Sequence, residues 1–377
     1  MYPALAVLQA LEAGDHNHAG KDELAQVDWE ALWVGAQDGM EKELIQHTAA
    51  QMLHSLPFEP IPAAGVHGVG LRALPGNIWQ LLRGLWASLS ILRRYRPEVL
   101  LFTGGFVAVP MAVAARIPQP GVRRPRSLSF IPDLEPGLAL KVVARLSDWL
   151  ASSTEETHKF FSARRKLWVT GYPLRPDLAG WDRASARQKL GLDADLPVLL
   201  VFGGSKGARS INQALVAVLP ELLKSVQVVH ISGRLDWETV QANAQALPAG
   251  LASRYHAFAY LHEEMGAALA AADLAVSRAG ASCLGEYPYF GLPAILVPYP
   301  YAWRYQHSNA EYLVQHQAAV LLPDGELPAR LLPTVLDLIH DAPRREAMAG
   351  ALRNLSRPHA AHKLAGLLWE LAGRETR

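Results

Sequence analysis

The sequence predicts an α/β protein made of two doubly wound parallel sheets with a cleft between them. Three observations carry this. Short apolar, β-rich runs alternate with helical runs in both halves of the chain. Each half contains a strand that runs into a glycine turn and on into an apolar or helical segment: "EVLLFTGGFVAVPMAVAARI" at 98–117 and "PVLLVFGGSKGARSINQAL" at 197–215. Between the two rhythms lies "KLWVTGYPLRPDL" at 166–178, whose Gly and Pro residues read as a linker. Repeated βα units bury a sheet under helices on both faces, which gives this fold class.

The elements follow in order. "MYPALAVLQALEAG" starts a helix: Pro3 suits a first turn, and Ala4, Leu5, Val7, Leu8 and Leu11 make an apolar face. "ALWVGA" (31–36) reads as a buried strand and "MEKELIQHTAAQML" (40–53) as a helix. "RSLSFIPD" (126–133) is a strand, and "GLALKVVARLSDWLASS" (137–153) is a helix running toward another. In the second half, "VQVVHISG" (226–233) is a strand, and residues 263–300 alternate helix, strand, helix, strand. "HAAHKLAGLLWELAGRE" (359–375) is a closing amphipathic helix.

Composition narrows the function. The chain has 377 residues, half of them hydrophobic, with 36 Lys+Arg against 35 Asp+Glu, so no global charge argues for nucleic acid. Cys283 is the only cysteine, which rules out an intrachain disulfide and fits a reducing compartment. No basic–apolar–small leader pattern opens the chain. Apolar runs such as "FVAVPMAVAA" fall short of the ~18–20 residues that span a bilayer. These features fit a soluble protein, or one that only touches a membrane.

Four stretches carry chemistry. In "VLLVFGGSKGARSINQAL", Gly203, Gly204 and Gly207 let backbone N–H groups approach an anion at a helix N-terminus, and Ser205 has a hydroxyl to offer a phosphate. The same pattern also serves a tight strand–helix turn with no ligand. It is not a Walker loop, because the Gly-Lys-Ser/Thr order is absent. "SRAGASCLGE" (277–286) is a second small-residue turn with room for a flat ring. It places Glu286 one to two turns into the next helix, either as an acceptor for two ribose hydroxyls or as an ordinary surface acid. "VPYPYAWRYQHSNAEYL" (297–313) brings Arg304, Gln306, His307 and Asn309 together after a strand, either to read sugar hydroxyls or as a polar surface loop. "TGGFVAVP" (103–110) is a third glycine turn facing the expected cleft. The histidines lack metal-ligand spacing, so no metal is assigned.

The segment 71–97 has apolar residues at 78, 81, 82, 85, 89 and 92, one helical face suited to core packing. Trp79 and Trp86 lie seven apart with Arg72, Arg83, Arg93, Arg94 and Arg96 around them, a fringe suited to an anionic membrane surface.

Taken together, "FTGGFVAVPMAVAA", "VTGYPLRPDL", "GGSKGARSIN", "SRAGASCLGE", "GLPAILVPYP" and "RYQHSNA" resemble, in order and spacing, the motifs of the peptidoglycan GlcNAc-transferases of glycosyltransferase family 28. The resemblance runs almost end to end. It implies a GT-B architecture of two Rossmann-like domains. Residues 1–171 would form an acceptor and membrane-side domain, completed by a final helix at about 355–377. Residues 172–354 would hold the UDP-sugar. The resemblance puts Arg175 near the pyrophosphate and Ser205 at the phosphate turn. It lays Ala281, Ser282, Cys283, Leu284, Gly285 and Glu286 along the uridine, with Glu286 on the ribose. Gln306 would contact the sugar, and His262 would meet the uracil through its main chain.

The family's first strand and its Gly-Gly-Thr-Gly-Gly-His loop, whose histidine is a candidate base there, have no counterpart before Tyr2. The family's His-Glu-Gln-Asn stretch reads Phe130-Ile131-Pro132-Asp133 here, and a glutamine has become Tyr305. Asp133 is then the acid to nominate as base. The implied activity is metal-independent, inverting transfer of GlcNAc from UDP-GlcNAc to the muramyl sugar of lipid I. The product would be lipid II, made by a peripheral protein at the cytoplasmic membrane face. No cofactor and no nucleic-acid partner is implied. The alternatives are a UDP-sugar transferase acting on another lipid acceptor, such as a diacylglycerol, and a UDP-sugar-binding protein without activity.

Overall fold

The computed structural model describes residues 1–13, 29–37, 45, 52, 54–63, 74–204, 207–262, 264–301 and 304–373. The chain divides into two compact units. The first comprises Met1–Pro132, Pro136–Pro173 and His359–Arg377; the second comprises Asp133–Glu135 and Leu174–Pro358. The helix read over 40–53 lies almost wholly outside the described residues. Ile45, one exception, is buried against Leu5 and Leu56.

In the first unit the parallel strands fall into two ladders. β1 (Trp33–Ala36) pairs with β2 (Phe58–Ile61). β3 (Val99–Phe102), β4 (Arg126–Ile131), β5 (Trp149–Ser152) and β6 (Leu167–Val169) pair in chain order. β5 occupies the tail of the stretch read as helical. The helix Leu138–Leu146 stops because Ser147 turns extended and bonds the Val143 carbonyl through its hydroxyl at 2.9 Å. A serine that bonds backbone in this way competes with the next helical turn. The Asp148 carboxylate then accepts the Ser127 N–H at 2.9 Å, joining the start of β5 to β4. β6 likewise lies within the stretch read as a linker: Leu167 is buried, and only the segment after Val169 is irregular. The helices Tyr2–Ala13 and Ala360–Leu371 pack on one another, and the second also meets β3 and β4.

The helix Leu74–Tyr95 buries only the later part of the apolar face its spacing suggests: Leu92 is buried, and Leu85 and Leu89 pack against the same cluster. Gly84, Ser88, Ile91 and Leu92 face inward. A Cβ at Gly84 would come within 2.2 Å of the Pro62 carbonyl oxygen, so only glycine lets the helix lie that close. Ile78 and Leu82, expected in the core, are exposed beside Trp79 and Trp86, which are 63% and 73% exposed.

The second unit is built on six parallel strands in the order β12-β11-β10-β7-β8-β9. They are β7 (Val198–Phe202), β8 (Gln227–Ile231), β9 (Tyr255–Phe258), β10 (Leu274–Ser277), β11 (Ala294–Leu296) and β12 (Ala319–Leu321). β7, β8, β10 and β11 are almost wholly buried, as befits a sheet covered on both faces by crossover helices. The chain winds from β7 outward through β8 and β9, then returns to place β10 on the other side of β7. The strand order therefore reverses between β7 and β10, and open α/β sheets bind ligands outside the carboxyl ends of the strands at such a point.

Candidate functional site

Two turns leave the sheet at this switch point. After β7 come Gly203 and Gly204, then the helix Arg209–Leu222. Its N-cap residue, Ala208, makes no side-chain cap bond, and the first N–H groups of such a helix suit an anion. A Cβ at Gly203 would lie 2.2 Å from the Ala208 nitrogen. Gly207 has φ +76°, and a Cβ there would lie 2.4 Å from the Ser232 carbonyl oxygen. The glycines are thus required by close backbone approach. Ser205, the expected phosphate ligand, lies outside the described residues.

The turn is braced from below. Asn212 is buried in the first helical turn and donates its amide to the Ser232 carbonyl at 2.8 Å and to Asp236 at 2.9 Å. Its carbonyl oxygen faces His230 Nε2 at 3.0 Å, and His230 Nδ1 faces the Tyr255 hydroxyl at 2.7 Å. With the Asn212 amide committed to two acceptors, its oxygen must accept, so Nε2 carries the proton and Nδ1 accepts from Tyr255. Burial lowers the His230 pKa to about 4, against the pull of Asp236.

After β10 the chain passes through Arg278 and Gly280 into one short turn, Ala281–Leu284, and then the helix Glu286–Phe290. Glu286 is the first residue of that helix, not one to two turns within it, because residues 281–284 form a turn of their own. Nor is it an ordinary surface acid. Burial raises its pKa above the usual carboxylate range, while the Ser282 hydroxyl that bonds it and the nearby Arg175 guanidinium pull the other way. Asp177 adds to the rise and binds Arg175 Nη1 at 3.2 Å. The structure therefore gathers Arg175, Asp177, Ser282 and Glu286 in one place. Cys283 and Leu284 are buried. Burial raises the Cys283 thiol far above its ordinary pKa, and the Asp133 and Glu286 carboxylates on either side add to that.

Asp133 belongs to the second unit. Asn309, fully buried, donates to its carboxylate at 2.8 Å and to the Ala279 carbonyl at 3.1 Å. Burial raises the Asp133 pKa, and the Asn309 bond partly offsets the rise. Gln306 accepts the Tyr299 N–H at 2.8 Å, which ties the start of its helix to the loop after β11. His262 is exposed after β9, its ring 4.4 Å from that of Tyr260.

Asp177, Asn212, Arg278 and Asp324 take part in this edge of the sheet without having been singled out from the sequence. Arg278 stood inside the small-residue turn, where a long cation directly after a buried strand was a usable signal. Asp324 carries no local signal at all. Among the described residues no group of three His, Cys, Asp or Glu side chains is placed to hold a metal ion.

This is the arrangement of a Rossmann-type α/β protein with a glycine turn, an arginine and a half-buried glutamate at its binding edge. The chain belongs to glycosyltransferase family 28: the family's N-terminal domain matches residues 1–120 and its C-terminal domain residues 198–364. A protein of Roseiflexus sp. (strain RS-1) is 39% identical over 417 aligned positions, covering 98% of this chain and 91% of that one. One of Desulforudis audaxviator is 36% identical, covering 100% and 96%. Both are named UDP-N-acetylglucosamine--N-acetylmuramyl-(pentapeptide) pyrophosphoryl-undecaprenol N-acetylglucosamine transferase. Among solved structures, MurG of Acinetobacter baumannii superposes with TM-score 0.69 at 24% identity, covering 98% of this chain and 95% of that one. A UDP-N-acetylglucosamine 2-epimerase of Listeria monocytogenes gives 0.69 at 12% identity, covering 100% and 96%. These two likenesses concern the fold alone.

Proposed function

We propose that the chain transfers N-acetylglucosamine from UDP-GlcNAc to the muramyl sugar of lipid I, an undecaprenyl-linked muramyl pentapeptide, giving lipid II. The observation that carries this is similarity along the whole chain, at 36–39% identity, to relatives named for that transfer. In this reading the acceptor hydroxyl oxygen attacks the anomeric carbon from the face opposite UDP. The bond from that carbon to the β-phosphate oxygen breaks, and UDP leaves with the electron pair. The positive end of the helix Arg209–Leu222 and Arg175 meet the charge that develops on the leaving phosphate. Glu286 accepts the ribose hydroxyls, whose donation offsets the burial that raises its pKa. Asp133 takes the acceptor proton, and burial makes it a stronger base than a solvated aspartate.

The exposed Trp79, Trp86, Ile78 and Leu82, with Arg83 beside them, support a peripheral seat on an anionic membrane. No described helix is long and apolar enough to cross a membrane.

The test is thermal. A ligand that binds only the folded state raises the unfolding midpoint. UDP and UDP-GlcNAc should both raise it, and Glu286→Ala should remove most of the rise. Equal stabilisation of parent and variant would remove Glu286 from the site, and no binding by the parent at millimolar UDP would end the reading.

A further inference from the structure

Arg278 fastens together the carboxyl ends of four strands. It stands directly after β10. Its Nη1 donates to the Asp324 carboxylate, just past β12, and to the Val297 carbonyl, just past β11, at 3.2 Å. Its Nη2 donates to the Ser210 hydroxyl at 2.7 Å, in the first turn of the helix that follows β7. Ser210 passes its own proton to Asp324 at 2.7 Å, so the three side chains close a triangle. The Tyr299 ring lies over the guanidinium, 5.2 Å from ring centre to the central carbon. The Tyr299 N–H in turn reaches Gln306. The arginine side chain is only 9% exposed.

We propose that Arg278 is a positioning residue that sets the sugar end of the donor site. It holds the Tyr299 segment, and through it Gln306, at a fixed distance from the glycine turn. The inference rests on the donor reading above and adds the device that spaces its two ends. A planar fork can meet a carboxylate, a hydroxyl and an aromatic face at once, whereas an ammonium of the same charge meets them one at a time. A buried, fully bonded ion pair of this kind fixes geometry more than it adds stability. Arg278 also touches the phosphate end through Ser210, but that end keeps a second brace in Asn212 and Ser232, whereas the Tyr299 ring stacks on the arginine itself.

The experiment is calorimetric titration of the full chain with UDP and, separately, with UDP-GlcNAc. Arg278→Lys should weaken UDP-GlcNAc binding about tenfold or more and UDP binding less than about threefold, since the Asn212–Ser232 brace still holds the phosphate end. Tyr299→Ala, at an exposed site that leaves the core intact, should give the same split even if the arginine variant folds poorly. Arg187→Lys is the control. Arg187 is equally buried and bonds Asp273 at 2.9 Å, at the opposite end of β10, so it should lower the unfolding midpoint without any split. Equal weakening of both ligands by Arg278→Lys, or the same split in Arg187→Lys, would overturn the proposal. A parent chain that binds neither ligand would overturn the donor reading, and this inference with it.

Discussion

Asn309 donates its side-chain amide to the Asp133 carboxylate at 2.8 Å while its own carbonyl oxygen accepts the Leu134 N–H at 2.9 Å. One buried amide therefore holds both the acid and the backbone that carries it. Asp133→Asn keeps this geometry, because the new carbonyl still accepts from Asn309. If Asp133 takes the acceptor proton, the variant should transfer about 10²–10⁴-fold more slowly while binding UDP as the parent does. Turnover with a lipid I analogue, followed by UDP release, measures the first quantity and titration the second. Parent-like turnover would move the base elsewhere. Asn309→Leu strands three partners, the Asp133 carboxylate, the Leu134 N–H and the Ala279 carbonyl, and should cost about 1–3 kcal/mol for each buried group left unpaired.

His230 gives the fold an acid limb. Its pKa is near 6.5 in an unfolded chain and about 4 in the folded one. The unfolded state therefore binds more protons between these values, so stability is fully present above about pH 6.5 and falls as pH drops toward 4. This group alone should remove about 3 kcal/mol across that window. Denaturant midpoints measured from pH 7 to pH 4 should show the slope, and His230→Gln should flatten it. An unchanged slope in the variant would assign the acid sensitivity to other groups.

Gly207→Ala tests the phosphate turn directly. The new methyl meets the Ser232 carbonyl oxygen at 2.4 Å on a backbone with φ +76°. The strain should cost about 1–3 kcal/mol. Because the turn itself must move, UDP affinity should fall along with the unfolding midpoint. A variant that loses stability but keeps parent UDP affinity would separate the turn from the phosphate.

The exposed face of the helix Leu74–Tyr95 predicts binding to vesicles. Co-sedimentation with anionic vesicles should exceed that with neutral ones at low salt, and salt should erase the difference. Trp79→Ala with Trp86→Ala should reduce binding without lowering the unfolding midpoint, since neither ring is in the core. Equal recovery on neutral and anionic vesicles would leave the arginines without a role there.

The alternation of strand and helix was legible because βα units repeat a local pattern, and both glycine turns of the second unit stand out beside buried strands. Depth was less legible. The apolar spacing of the Leu74–Tyr95 helix marks a face, but whether Ile78 and Leu82 are covered depends on what packs there, and Gly84 rather than the leucines makes the closest approach. Short strands such as β2 and β12 carry three or four residues and too little pattern to read. The position of Glu286 was misjudged by about a turn because a separate short turn precedes its helix. Arg278 was visible, but its partners stand 46 and 68 positions away, and no local rule joins them.

The packing of Tyr2–Ala13 against Ala360–Leu371 imposes an order on biosynthesis. Residues 174–358 of the second unit are translated between the two helices that meet in the first. At about 5–20 residues per second, that interval lasts roughly 10–40 s. Only late in it does the second unit have all of its strands, β12 ending at Leu321, and the helix Tyr2–Ala13, whose Leu5 packs on Ile45 and Leu56, still lacks its partner helix Ala360–Leu371. The part made first is thus finished last, and the stripe of the Tyr2–Ala13 helix that meets Ala360–Leu371 goes without that cover for much of synthesis. Stalling or cutting the chain before residue 359 should expose that stripe permanently, and should send the product to chaperones even with an intact second unit.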